Sequence, residues 1–85
     1  MPPADPQPQV TVRYWAAARA AAGVDSELLK GTSVGSVAAA AVAAHPGLGA
    51  VVTVATFLVD GRAARREDVL RDGSTVEVLP PFSGG

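Results

Sequence analysis

Only one stretch of the chain can carry a long helix, and that restricts the fold more than any other feature. Residues 34–44 (VGSVAAAAVAA) put Val34, Val37, Ala41 and Ala44 on one face at helical spacing, with Ala38 and Val42 beside them. Ser33 stands where an N-cap hydroxyl can accept from a first-turn N–H, and Pro46-Gly47 stops the run. The side chains are small, so this helix can lie close against a sheet. The other ordered stretches are short and mostly β-like, so the sheet must supply most of the core.

Residues 10–15 (VTVRYW) alternate, with Val10, Val12 and Tyr14 facing one way and Thr11, Arg13 and Trp15 the other. Residues 16–22 (AAARAAA) favour helix, and Gly23 ends it. Seven residues are too few to hold a helix alone, so packing must do so. Residues 24–29 (VDSELL) read as a second strand, antiparallel to the first. Residues 51–59 (VVTVATFLV) give the strongest strand signal and are apolar enough for a central strand. Asp60-Gly61 signals a hairpin turn, with residues 62–64 as a short return strand. Residues 65–70 (RREDVL) read as one helical turn with Val69 and Leu70 as core candidates. Residues 71–74 form a second turn, and residues 75–79 (TVEVL) form the last strand. The first and last strands are expected side by side at the centre. The fold class is therefore α+β, a mixed sheet with one main helix on one face.

Composition removes several functions. Hydrophobic residues make up 48% of the 85-residue chain, but much of that is alanine, so Val, Leu, Phe and Trp15 must build the core. There is no cysteine and a single histidine, which excludes disulfides, thiolate metal sites and multi-histidine metal sites. No metal and no bound cofactor are expected. A net charge of −1 offers no case for nucleic acid or membrane surfaces. No apolar run approaches the ~20 residues that span a bilayer, and the start lacks a signal-peptide layout, so a cytoplasmic location is expected. Residues 1–9, with Pro2, Pro3, Pro6 and Pro8, read as a disordered leader before a domain at 10–81. His45 closes the main helix and is read as structural, favouring the dipole when charged. Arg62, Arg65 and Arg66 are read as a solvated face, with an acidic partner's docking patch as the alternative.

The chemistry concentrates in the last stretch. After the final strand come Pro80-Pro81, which fix φ and send the backbone out stiffly. Phe82, Ser83, Gly84 and Gly85 follow, a tail of four residues that reaches about 13–14 Å when extended. Gly84-Gly85 has no Cβ and can enter a channel too narrow for other residues. A terminal carboxylate at Gly85, with an ordinary pKa of about 3.3–3.7, is ionised at neutral pH and can attack the α-phosphate of ATP.

These residues resemble a known family. Val12-Arg13-Tyr14-Trp15-Ala16-Ala17-Ala18-Arg19, Ser33-Val34-Gly35, His45-Pro46-Gly47-Leu48, Phe57-Leu58-Val59-Asp60-Gly61 and the whole of residues 70–85 are similar to the small, sulfur-carrying subunit of molybdopterin synthase, in the MoaD/ThiS family of ubiquitin-like sulfur carriers. The resemblance runs from about residue 10 to 85 and is most specific at the ending. Ala20 stands where the family has an acidic residue, and Gly73-Ser74 where it has Gly-Asp. The resemblance implies a ubiquitin-like β-grasp fold. It implies that an E1-like adenylyltransferase uses ATP to convert the Gly85 carboxylate to an acyl adenylate, and that a persulfide converts this to a thiocarboxylate. The tail would enter the large synthase subunit, in a heterotetramer, and give its sulfur to cyclic pyranopterin monophosphate. The chain would be a sulfur-donating subunit, not catalytic alone. Gly85 would carry the sulfur and Gly84 would let it reach the active site. Pro81, Phe82 and Ser83 would form the partner-binding base of the tail, and Trp15 would either extend that patch or pack on the sheet.

Three other readings remain open at this point. A related β-grasp carrier could serve thiamin, cysteine or tRNA thiolation. A ubiquitin-like modifier would join Gly85 to lysines of other proteins. A plain binding domain would carry an inert tail.

Overall fold

A computed structural model describes residues 7–81. Its elements are β1 (Gln9–Tyr14), α1 (Ala17–Ala22), β2 (Ser26–Lys30), α2 (Val34–Ala44), a 3-10 turn (Pro46–Leu48), α3 (Gly49–Val54), β3 (Thr56–Val59), β4 (Arg62–Ala64) and β5 (Thr75–Leu79). The strands form one five-stranded sheet in the order β2-β1-β5-β3-β4. β1 and β5 run parallel, with Val12 opposite Val76 and Tyr14 opposite Val78. The other pairings are antiparallel. The first and last strands are thus neighbours, as expected, and β5 is the middle strand.

Period-2 alternation turns Val10, Val12 and Tyr14 of β1, and Val76 and Val78 of β5, into the core. α2 lies over them with Val34, Val37, Ala38 and Ala41 buried. Each fully buried Val or Leu contributes about 1.5–3 kcal/mol relative to its exposed state, while the alanines let helix and sheet approach. Ser33 caps α2 as the sequence predicts. Its hydroxyl accepts from the Ser36 N–H, and the Ser36 hydroxyl oxygen accepts from the Ser33 N–H, closing a capping box. α1 ends at Gly23, whose φ of 78° suits a left-handed cap.

Two expectations are corrected. Residues 51–59 do not form one central strand: residues 49–54 are helical and only Thr56–Val59 is β. Pro46 starts a helical turn there, and Leu48 and Val52 then bury at helical spacing, so packing overrides the β-branched preference. Residues 65–70 form a hydrogen-bonded turn, in which the Arg65 N–H donates to Asp68 Oδ2 and the Asp68 N–H donates to Arg65 O. Beyond it the chain is extended, so Val69 points outward, 80% exposed, and only Leu70 is buried. Arg62, Arg65 and Arg66 are all exposed, as expected, and Arg66 also makes contacts within the chain. Its guanidinium donates to the Val52 carbonyl and lies 5.1 Å from the Phe57 ring centroid, tying α3 to the β3 side of the sheet. His45 keeps its structural reading: it caps α2, and Glu27 of β2 holds its side chain, with Oε2 2.7 Å from Nε2.

Candidate functional site: the exit of the central strand

β5 is gripped on both edges, by β1 and by β3, so its end is a firmly anchored point from which a chain could leave the sheet. Trp15 adds to that grip. Its backbone N–H donates to the Val78 carbonyl (3.3 Å), extending the parallel ladder one residue past β1. Its indole Nε1–H donates to Glu77 Oε2 at 2.9 Å, and the Arg13 guanidinium sits 5.0 Å from the ring centroid. Arg13 and Glu77 are register partners and face away from the helices. Trp15 remains 40% exposed, a large amphipathic ring fixed beside the exit.

Directly after Trp15 the backbone turns hard. Ala16 has φ 49° and ψ −121°, a conformation that a side-chain-bearing residue adopts at a cost. The turn starts α1, with the Ala18 N–H donating to Trp15 O, and brings Ala17 against the exit. α3 closes the other side. Ala17, Ala50, Val51, Val54, Pro80 and Pro81 line a shallow, mainly apolar groove of about 330 Å³. Val54 is 60% exposed within it.

Of the predicted site residues, Trp15 and Pro81 are thus brought to the same end of β5. Phe82, Ser83, Gly84 and Gly85 lie outside the described residues.

A second polar cluster sits on the helix side of the sheet. The buried Tyr14 hydroxyl donates to Glu27 Oε2 at 2.5 Å, the oxygen that also meets His45. The Tyr14 and His45 rings meet edge-on, with centroids 6.1 Å apart. Burial, and then the neighbouring Glu27 carboxylate, push the Tyr14 phenol well above its ordinary value and hold it neutral. Each of these groups satisfies another, so the cluster ties β1, β2 and the end of α2 together. Among the described residues, no group of three or more His, Asp or Glu side chains could hold a metal ion, and no helix is long and apolar enough to cross a membrane.

Sequence reasoning missed these pairings. The register sets Val12 opposite Glu27, which makes Tyr14 a diagonal neighbour of Glu27 on the same face. That signal becomes readable only once the pairing of β1 and β2 is fixed.

Known proteins match most of this chain. Residues 12–85 match the ThiS family. The chain is 37% identical over 82 residues to the molybdopterin synthase sulfur carrier subunit of Chlamydomonas reinhardtii, spanning 91% of this chain and 99% of that one. Its fold superposes on the solution structure of small archaeal modifier protein 1 from Methanosarcina acetivorans with a TM-score of 0.85 at 27% identity, covering 93% of this chain and 98% of the other. A complex of subunits 1 and 2 of the molybdopterin-converting factor from Helicobacter pylori contains a similar fold, with a TM-score of 0.67 at 20% identity over 91% of this chain and 99% of that one. The five-stranded mixed sheet under its main helix is a ubiquitin-like β-grasp, and the chain belongs to the ThiS family.

Proposed function

We propose that this protein is the sulfur carrier of a molybdopterin synthase, and that the main-chain carboxylate of Gly85 is its working group. The observation that carries this reading is the near end-to-end likeness, at 37% identity, to a molybdopterin synthase sulfur carrier subunit. It is supported by a family match that runs through residue 85 and by a central strand that leads into Pro80-Pro81. An E1-like enzyme in the cytoplasm supplies ATP chemistry. A Gly85 carboxylate oxygen attacks the α-phosphate, pyrophosphate leaves, and an acyl adenylate forms. A persulfide sulfur of that enzyme then attacks the carbonyl and displaces AMP, giving an acyl disulfide; a thiol attacks the enzyme-side sulfur of that disulfide, forms a new disulfide with it and releases the Gly85 thiocarboxylate. The folded body is the handle in these steps. The sheet anchors the tail, Pro80-Pro81 directs it, and Gly84-Gly85 keeps it thin enough to enter a partner's channel. Phe82, with Ser83 and Pro81, anchors the tail base against the large synthase subunit, and Trp15 extends that contact. Two copies of each subunit form the heterotetramer, and cyclic pyranopterin monophosphate receives the sulfur.

The test is intact-mass spectrometry of the chain after incubation with its activating enzyme, ATP and a sulfur donor. One oxygen-for-sulfur exchange, lost on deleting Gly85, is the expected result. An unchanged mass with an active enzyme overturns the reading. The likeness to an archaeal modifier protein favours one alternative, conjugation of Gly85 to lysines. In that case the same spectra hold larger protein adducts in place of the exchange.

A further inference from the structure

The apolar groove at the exit of β5 is lined at one end by the chain's own Pro80 and Pro81. Val51 and Val54 of α3 and Ala17 of α1 complete its wall. The next residue in the sequence is Phe82, and consecutive Cα atoms across a trans peptide are ~3.8 Å apart. Phe82 is the only hydrophobic residue among 82–85; Ser83, Gly84 and Gly85 carry nothing that could fill an apolar surface. The groove, about 330 Å³, is larger than the roughly 150 Å³ cavity that accommodates benzene in an engineered protein core. Val54, with 60% of its surface exposed, would lose water contact under an aromatic ring.

We infer that in the free protein the Phe82 ring docks into this groove of its own chain, against Val51 and Val54. The tail is then rooted at Phe82. Three residues, 83–85, remain to present the carboxylate, with a reach of about 10–11 Å. This deepens the proposed carrier reading. The ring that anchors the tail base on a partner has a resting seat on its own domain, and a partner must take it over from Val51 and Val54. A tail rooted in this way leaves the glycines accessible while shielding the aromatic ring from non-specific association.

The experiment is methyl-resolved NMR of the full chain alone, so it does not depend on any sulfur chemistry. Valine methyl signals are compared between the wild type and Phe82→Ala, with nuclear Overhauser contacts sought from the Phe82 ring. The expected result is ring-to-methyl contacts at Val51 and Val54. Their methyl shifts should move in Phe82→Ala, while those of Val10 and Val12 on the far stretch of the sheet stay fixed. A Phe82→Leu variant keeps an apolar contact and is expected to lose the ring-current shift while preserving the Val54 contacts. Val51 and Val54 signals that are identical in wild type and Phe82→Ala overturn the inference. So do contacts that appear only as concentration rises, which would assign the groove to a second copy. Loss of sulfur loading with the NMR contacts intact would strike the carrier reading and leave this one standing.

Discussion

Glu27→Ala tests the account of the Tyr14–Glu27–His45 cluster most sharply. One carboxylate oxygen serves two partners, the Tyr14 hydroxyl at 2.5 Å and His45 Nε2 at 2.7 Å. Tyr14 is 2% exposed, so losing Glu27 leaves a largely buried donor without its charged partner. That penalty is about 1–3 kcal/mol, and a hydrogen bond to a charged acceptor is worth about 1.5–3 kcal/mol. The Glu27 and His45 side chains are 23% and 21% exposed, so water recovers part of the second term. The net expectation is about 2–3 kcal/mol. At about 4–8 °C per kcal/mol for a domain of this size, the midpoint falls by roughly 8–24 °C. Tyr14→Phe deletes the donor but leaves Glu27 its His45 partner, so it costs about 1 kcal/mol. The double variant removes both ends of the bond and is expected to be no less stable than Glu27→Ala alone, a coupling of at least ~1 kcal/mol. Urea unfolding of the four proteins measures this. Strict additivity, or a loss under ~0.5 kcal/mol for Glu27→Ala, refutes the reasoning. On the proposed carrier reading, sulfur loading per folded molecule is expected to stay at the wild-type level in all four, because the cluster ties β1, β2 and the end of α2 together.

Other outcomes follow from the same geometry. Because the Tyr14 phenol is held neutral by burial and then by Glu27, its folded pKa is raised. Its contribution is fully present below the unfolded value of about 10 and is lost as pH rises through the folded value. Stability against urea is therefore expected to fall on the alkaline side in the wild type, and that limb to shrink in Tyr14→Phe; equal alkaline slopes would refute the burial argument. Ala16→Gly is expected to raise the thermal midpoint, by roughly 1 kcal/mol of relieved strain at φ 49°, ψ −121°, less the added freedom of glycine in the unfolded chain. Trp15→Ala is expected to weaken binding to a large synthase subunit by about 1–3 kcal/mol, read by calorimetry; an unchanged Kd would confine the ring to its contact with Glu77.

Local patterns made much of this molecule readable in advance. The alternation in residues 10–15 and 75–79 set the buried faces of β1 and β5, and the Ser33 and Pro46 signals bounded α2 within a residue or two. Residues 51–54 read as strand in the sequence because valine-rich helix and buried strand share a composition. What separates them is the 3-10 turn at Pro46 and the packing of Leu48 and Val52 beneath it. Val69 differs for a related reason: whether two adjacent apolar residues are both buried depends on helical or extended backbone, and the Ser33–Val69 bridge makes it extended. At the exit, the prolines and Trp15 could be singled out from sequence. The groove could not, since Ala17, Val54 and Pro81 come from three separate elements that only the fold brings together.

The central claim is that the body presents a main-chain terminus as its reactive group, and one added residue tests it. A chain extended by a single alanine after Gly85 is treated with activating enzyme, ATP and sulfur donor beside the wild type. Its melting midpoint and its intact mass are then read from the same sample. The account predicts an unchanged midpoint and no oxygen-for-sulfur exchange. Exchange at the wild-type yield, with the added residue still present, would contradict it.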